Sequence, residues 1–78
     1  MIYLDVRTKK EYDGGHVNGA IHCDVMDIMK GNIPDLPKDA DITVYCQSGA
    51  RSTVAKMLLQ QKGFKKVVNG GGIDSIRV

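Results

Sequence analysis

Apolar residues in this chain come in short bursts separated by polar turns, and the spacing within each burst alternates between strand-like and helix-like. Ile2-Tyr3-Leu4-Asp5-Val6 is dominated by β-branched and aromatic residues and breaks off into a polar stretch, which predicts a short buried strand. Thr8 with Glu11 three residues on forms the S/T-x-x-E capping box, so a brief helical turn follows and ends at Gly14-Gly15. Ala20-Ile21-His22-Cys23 predicts a second strand. Asp24 then caps a helix over Val25 to Lys30, in which Met26 and Met29 share one face and are expected to pack into the core, with a ligand surface as the alternative. Gly31-Asn32 and the prolines at 34 and 37 make a connecting loop. Ile42-Thr43-Val44-Tyr45 is the clearest strand and continues into Cys46. From Ser52 the apolar positions Val54, Ala55, Leu58 and Leu59 fall at helical spacing, with Lys62-Gly63 as the stop. Val67-Val68 reads as a last short strand, and Gly70-Gly71-Gly72 turns the chain into a segment, Ile73 to Val78, with room for one helical turn.

Strands alternating with helices through short loops predict an α/β layer fold on a parallel sheet. In such a sheet the functional crevice lies at the carboxyl ends of the strands, where the segment after Cys46 must sit. A chain of 78 residues holds one domain, here taken as 1–78. Eleven basic against nine acidic residues leave a net charge of +2 without a basic run, so a nucleic-acid partner is not expected. No apolar stretch approaches a membrane span, and Asp5 interrupts the opening segment, so no membrane association is expected and the expected compartment is the cytoplasm. A periplasmic location is the alternative if a signal sequence has been removed. The two cysteines, Cys23 and Cys46, are too few for a disulfide scaffold, and no C-x-x-C pair suggests zinc.

The chemistry concentrates in Cys46-Gln47-Ser48-Gly49-Ala50-Arg51, which joins a strand to a helix. Gly49 permits a tight turn, and small neighbours at Ser48 and Ala50 let successive backbone N–H groups converge on the Cys46 sulfur. Convergent amides and the positive end of the helix dipole favour the thiolate, lowering its pKa from about 8.5 into the roughly 3.5–7.5 range of activated cysteines. Arg51 adds a fixed charge that either attracts an anionic substrate or holds the loop in shape. The only histidines, His16 and His22, precede the Cys46 strand and are not obviously placed beside it, so a Cys-His hydrolase has weak support. Cys23, at a strand end, reads as an inert small hydrophobe, with a resolving or regulatory partner for Cys46 as the alternative. Arg7 and Glu11 are spaced for an i,i+4 pair, and the His16 ring is placed to fix its loop by a hydrogen bond.

Taken in order, Leu4-Asp5-Val6-Arg7 with Glu11-Tyr12, Gly15-His16-Val17-Asn18-Gly19-Ala20-Ile21, the Cys46 to Ser52 loop and Asn69-Gly70-Gly71-Gly72 resemble a single-domain rhodanese, the thiosulfate sulfurtransferase family, of the phage shock protein E type. The resemblance covers essentially the whole chain. It implies a rhodanese-like parallel sheet flanked by helices, apparently lacking the usual first strand and helix. Cys46 would be the catalytic residue carrying a persulfide, with Gln47, Ser48, Gly49, Ala50 and Arg51 binding substrate around it. Asp5, Arg7, Glu11 and His16 match family positions that are mainly structural. The implied partners are a small-molecule sulfur donor such as thiosulfate and a cyanide or thiol acceptor, with a protein sulfur acceptor as a further candidate. No cofactor or metal is required. A sheet shortened in this way leaves Val67-Val68 at an open edge and gives the chain reason to form a homodimer. Ile76 stands where many members carry tryptophan.

Two other readings compete with sulfur transfer. A non-catalytic binding or sensor module would retain the fold, although that reading usually accompanies loss of the cysteine. Cysteine phosphatases and arsenate reductases use a similar loop with five residues between Cys and Arg. Only four separate Cys46 from Arg51, a tighter ring that suits one sulfur atom better than a tetrahedral oxyanion.

Overall fold

The computed structural model describes residues 1–76; the last two positions of the expected terminal segment, Arg77 and Val78, lie outside the described residues. Four strands form one parallel sheet: β1 (Ile2–Asp5), β2 (Ile21–His22), β3 (Asp41–Cys46) and β4 (Lys66–Gly72), in the order β2-β1-β3-β4. The connecting helices are α1 (Lys9–Asp13), α2 (Val25–Met29) and α3 (Ala50–Gln61), with a terminal turn α4 (Ile73–Ile76). This is the parallel α/β sheet with flanking helices that the alternating pattern predicts. The central strands are the most apolar: Leu4, Val6, Ile42 and Val44 form one core with Ile28, Ala55, Leu59, Phe64 and Val67. A smaller core on the other face joins Ala20, Tyr45 and Ile73, with Ile76 packed against it where aliphatic bulk serves in place of a large aromatic.

Local signals give the helix ends. The Thr8 hydroxyl accepts from the Glu11 amide at 3.2 Å while the Glu11 carboxylate accepts from the Thr8 amide at 3.1 Å, completing the capping box. Asp24 caps α2 by accepting from the Met26 amide at 2.9 Å.

Three expectations are corrected. Met26 and Met29 do not enter the core: they are 55% and 58% exposed, because α2 turns Val25 and Ile28 inward instead. Helix α3 starts at Ala50, two residues before the expected Ser52, for a reason that belongs to the site below. The glycines at 70–72 are not a turn but the end of β4, where Gly72 pairs with Cys46 after a register shift between Val44 and Cys46. A Cβ on Gly72 would stand 2.6 Å from the Gln47 carbonyl oxygen, so only glycine lets the strand run this close to the loop. Strand β4 does lie at a sheet edge, where it carries the exposed Lys66 and Val68. Among the described residues no helix is long and apolar enough to cross a membrane.

The buried polar centre of the fold is Asp5. Its carboxylate accepts from the Arg7 guanidinium at 2.7–3.1 Å, from the Arg7 amide at 3.0 Å and from the Tyr45 hydroxyl at 2.8 Å. Burial pushes the Asp5 pKa up, but the Arg7 and Tyr45 hydrogen bonds outweigh it and hold the carboxyl below its ordinary 3.8. Removing one partner of a buried ion pair leaves an uncompensated charge, so Asp5→Ala is expected to cost roughly 3–5 kcal/mol. Urea unfolding of the two proteins checks this, and an unchanged midpoint would mean that Arg7 is not held by Asp5.

Candidate active site

Strand β3 ends at Cys46, whose side chain is fully buried, and Gln47 to Gly49 then fold back over it before α3 begins. Gly49 takes φ 98°, a left-handed conformation that a side chain would strain. Gly49, the N-cap of α3, has no side chain with which to cap it. The Cys46 sulfur stands there instead: the Gly49 amide donates to Sγ at 2.9 Å, and the Gly49 carbonyl accepts the Thr53 amide at 3.1 Å, the bond that starts the helix at Ala50. The Cys46 thiol in turn donates to Ser52 Oγ at 3.6 Å, and Ser52 donates to Asn69 Oδ1 at 2.7 Å.

Burial by itself would push the Cys46 pKa up. The hydrogen bond shared with the Ser52 side chain and those from the Ser52, Ser48 and Gly49 amides outweigh it, so the thiol lies below its ordinary 9.0. Cys23 shows the opposite balance: burial, then the carboxylates of Asp27 and Asp24, raises its pKa above the same reference. The two thiols are also kept apart by the sheet. Each follows a residue paired with Asp5, so β1 stands between them. Two strand spacings amount to roughly 9–10 Å, beyond the Cα separation of about 7 Å that a disulfide can bridge.

The expected substrate loop is assembled as a unit, but its members have different surroundings. Ser48 and Gly49 face the sulfur through their amides, and Ala50 opens α3. The Gln47 side chain accepts from Arg7 Nη1 at 3.1 Å, tying the loop to the buried Asp5 centre. Arg51 forms a two-pronged pair with Glu11 at 2.7 and 2.9 Å, which favours its loop-holding alternative. The expected Arg7–Glu11 pair is therefore corrected, because Arg7 turns inward to Asp5 and Glu11 turns to Arg51. His16 does fix its loop, bonding through Nδ1 to the Tyr12 carbonyl at 2.8 Å and stacking on the Tyr12 ring at 3.7 Å. His22 bonds through Nε2 to the Arg7 carbonyl at 2.8 Å.

Asn69 is the site residue that sequence reasoning did not assign. Its Oδ1 accepts from Ser52 and from the Gly71 amide at 2.8 Å, and its Nδ2 donates to Thr53 Oγ1 at 2.9 Å. One side chain thus clamps the start of α3 to β4 beneath the sulfur loop. Its signal in the sequence was a polar residue set directly before three glycines.

The pattern of the rhodanese-like domain matches residues 1–77. The chain belongs to the rhodanese-like family. It is 33% identical over 75 residues to thiosulfate sulfurtransferase PspE of Escherichia coli, covering 95% of this chain and 72% of that protein. It is 36% identical over 66 residues to the putative sulfur carrier protein YrkF of Bacillus subtilis, covering 85% of this chain but only 35% of that protein. Among solved structures, the rhodanese with anions from Escherichia coli superposes with a TM-score of 0.83 at 32% identity, covering 99% of this chain and 92% of that one. The chain shares its fold with that structure, and its own parallel sheet places the Cys46 loop at the carboxyl ends of the strands.

Two predictions concern the charges here. Thiolate absorbance in a Cys23→Ser protein, which reports Cys46, is expected to titrate below pH 9.0, and in a Cys46→Ser protein, which reports Cys23, above it. Reversal of that order would contradict the role of the loop amides. The Arg51 hydrogen bond, which outweighs desolvation, holds Glu11 at about 2 against an ordinary 4.5. A depressed carboxylate adds stability that is complete above the unfolded pKa and is lost as pH falls through the folded one. The stability advantage over Glu11→Gln should therefore be constant above pH 4.5 and fade between 4.5 and about 2, as followed by urea unfolding across that range.

Proposed function

We propose that this chain is a sulfurtransferase in which Cys46 carries sulfane sulfur between a donor and an acceptor. The observation that carries the reading is the Cys46 sulfur at the end of β3, receiving the Gly49 amide at 2.9 Å at the start of α3. The same amide dipoles that favour the thiolate suit an anionic persulfide, so the two resting forms of the cycle share one cradle. The named relatives, a thiosulfate sulfurtransferase and a putative sulfur carrier, support the same chemistry.

With thiosulfate as donor, the Cys46 thiolate attacks the outer sulfur and a new S–S bond forms at Sγ. The bond between the two thiosulfate sulfurs breaks, and its electron pair leaves on sulfite. The S–S bond sets the electrophilic sulfur about 2.05 Å from the buried Sγ. Cyanide or a thiolate, on a small molecule or a protein, then attacks that outer sulfur. The S–S bond breaks, and its electron pair returns to Sγ as thiolate. No external oxidant or reductant enters the cycle. Arg51 contributes by holding the loop through Glu11, and Gln47 by anchoring it to Arg7.

Intact mass after thiosulfate treatment is expected to rise by one sulfur atom in the wild type and in Cys23→Ser, and not in Cys46→Ser. Thiosulfate:cyanide transfer should be abolished by Cys46→Ser and retained by Cys23→Ser. Transfer surviving in Cys46→Ser would sink the proposal, and a sulfur-free wild type would favour the binding-module reading.

A further inference from the structure

The exposed methionines of α2 line a groove that also takes in Arg51, the last residue of the sulfur loop. It has a volume of about 250 Å³ between the starts of α2 and α3, with Met26, Met29 and Val54 as its apolar surface and Asp24 and Arg51 at its polar margin. That volume is below the roughly 300 Å³ at which pockets begin to enclose whole drug-sized ligands, so it suits one apolar arm of a molecule. Three features connect it to the chemistry. Arg51 belongs both to the loop that follows Cys46 and to the groove wall, where it stands with Asp24. Helix α2 also begins at the carboxyl end of the sheet: the Val25 amide donates to the Val6 carbonyl at 3.0 Å, and the Val6 amide to the Tyr45 carbonyl next to Cys46 at 3.0 Å. Finally, Arg51 is paired with Glu11 at 2.7 Å, so among the described residues lining the groove the charge left over is the Asp24 carboxylate, which also caps α2 by accepting the Met26 amide.

We infer that this groove is the acceptor subsite and selects a thiol with a neutral, apolar arm over one with an anionic arm. The inference rests on the sulfurtransferase reading and names its substrate class. Met26 and Met29 supply flexible, polarizable contact to an aliphatic or aryl chain. Asp24 disfavours a carboxylate on that chain, since Arg51 is already engaged. The transfer itself is unchanged: the acceptor thiolate attacks the outer sulfur, the S–S bond to Sγ breaks, its electron pair stays on Cys46, and the acceptor departs as a persulfide. Met26 and Met29 touch the arm and take no part in the bond changes.

Binding and transfer test the inference separately. The protein has four methionines, and Met1 and Met57 lie off the groove, so methyl-13C-methionine spectra carry their own controls. Titration with butyl methyl sulfide is expected to shift the Met26 and Met29 signals saturably and leave Met57 unmoved, while 4-(methylthio)butanoate binds roughly tenfold more weakly. Shifts of all four methyls alike, no shifts, or equal binding of the two probes would overturn the subsite. Movement of Met26 and Met29 with protein concentration alone would also overturn it, by assigning the face to a second copy of the chain. In single-turnover reaction of the persulfide, the double variant Met26→Gln, Met29→Gln should lose roughly tenfold in rate with butanethiol and keep its rate with cyanide. Equal losses with both acceptors would refute a subsite role. Failure of the wild type to transfer to cyanide would instead count against the sulfurtransferase reading, while the spectra still judge the groove.

Discussion

The carboxylate of Asp5 is the constraint on which the rest of the structure depends. It sits on the central strand β1 with no exposure to solvent, and every hydrogen bond it accepts orders a different part of the carboxyl end of the sheet. Arg7 is held against it and is thereby aimed at the Gly15 carbonyl at 2.7 Å and at Gln47 in the sulfur loop at 3.1 Å. The Tyr45 hydroxyl donates to the same carboxylate and accepts the Val17 amide at 3.0 Å, which fixes the crossover from α1 to β2. Burial together with the hydrogen bond to Asp5 raises the Tyr45 pKa to about 12, so the phenol remains a donor across the ordinary pH range. A buried ion pair is poor evidence for stability, because desolvation offsets most of its attraction. Its value here is geometric: one carboxylate sets the positions of two loops and the final residue before Cys46.

The sulfur loop depends on that geometry because its action is short in range. Amide dipoles and the helix terminus act within about one helical turn, so a small displacement of Gly49 or Ser48 would cost the thiolate much of its support. Two clamps prevent displacement, Gln47 to Arg7 on one side and Arg51 to Glu11 on the other. A third comes from β4, where Asn69 bonds Ser52 and the glycines let backbone approach backbone. The three arise from segments far apart in the sequence, which is how a short helix-capping loop becomes a rigid one.

What could be read from the sequence follows the same division between local and distant. The capping box of Thr8 and Glu11, the Asp24 cap, the β3 strand and the turn at Gly49 all depend on contiguous residues, and all were legible. The sulfur loop was legible for the same reason, since its strand, small residues and helix adjoin one another. Partner choice was not. Arg7 and Glu11 have suitable helical spacing, but each found a better partner, Asp5 in a buried site and Arg51 forty residues away. Met26 and Met29 were misplaced because α2 is only five residues long, so apolar spacing cannot say which side meets the core. The β4 glycines read as a turn by propensity, and only the approach of Gln47 explains them as strand.

These pairings determine what charge is left at the mouth of the site. Arg7 is spent on Asp5 and Arg51 on Glu11, so neither guanidinium stands as a free cation beside Cys46. The negative charge on the sulfur is therefore held mainly by uncharged groups, the amides of Ser48, Gly49 and Ser52 and the Ser52 hydroxyl. Dipoles of this kind stabilise any anion at one point without favouring a doubly charged molecule at a distance. In the proposed sulfur transfer the loop then responds to where the charge sits, at the sulfur, more than to how much charge the approaching molecule carries. That leaves discrimination among molecules to the side chains around the loop, and the groove that shares Arg51 with it has the methionine face of α2 as its wall.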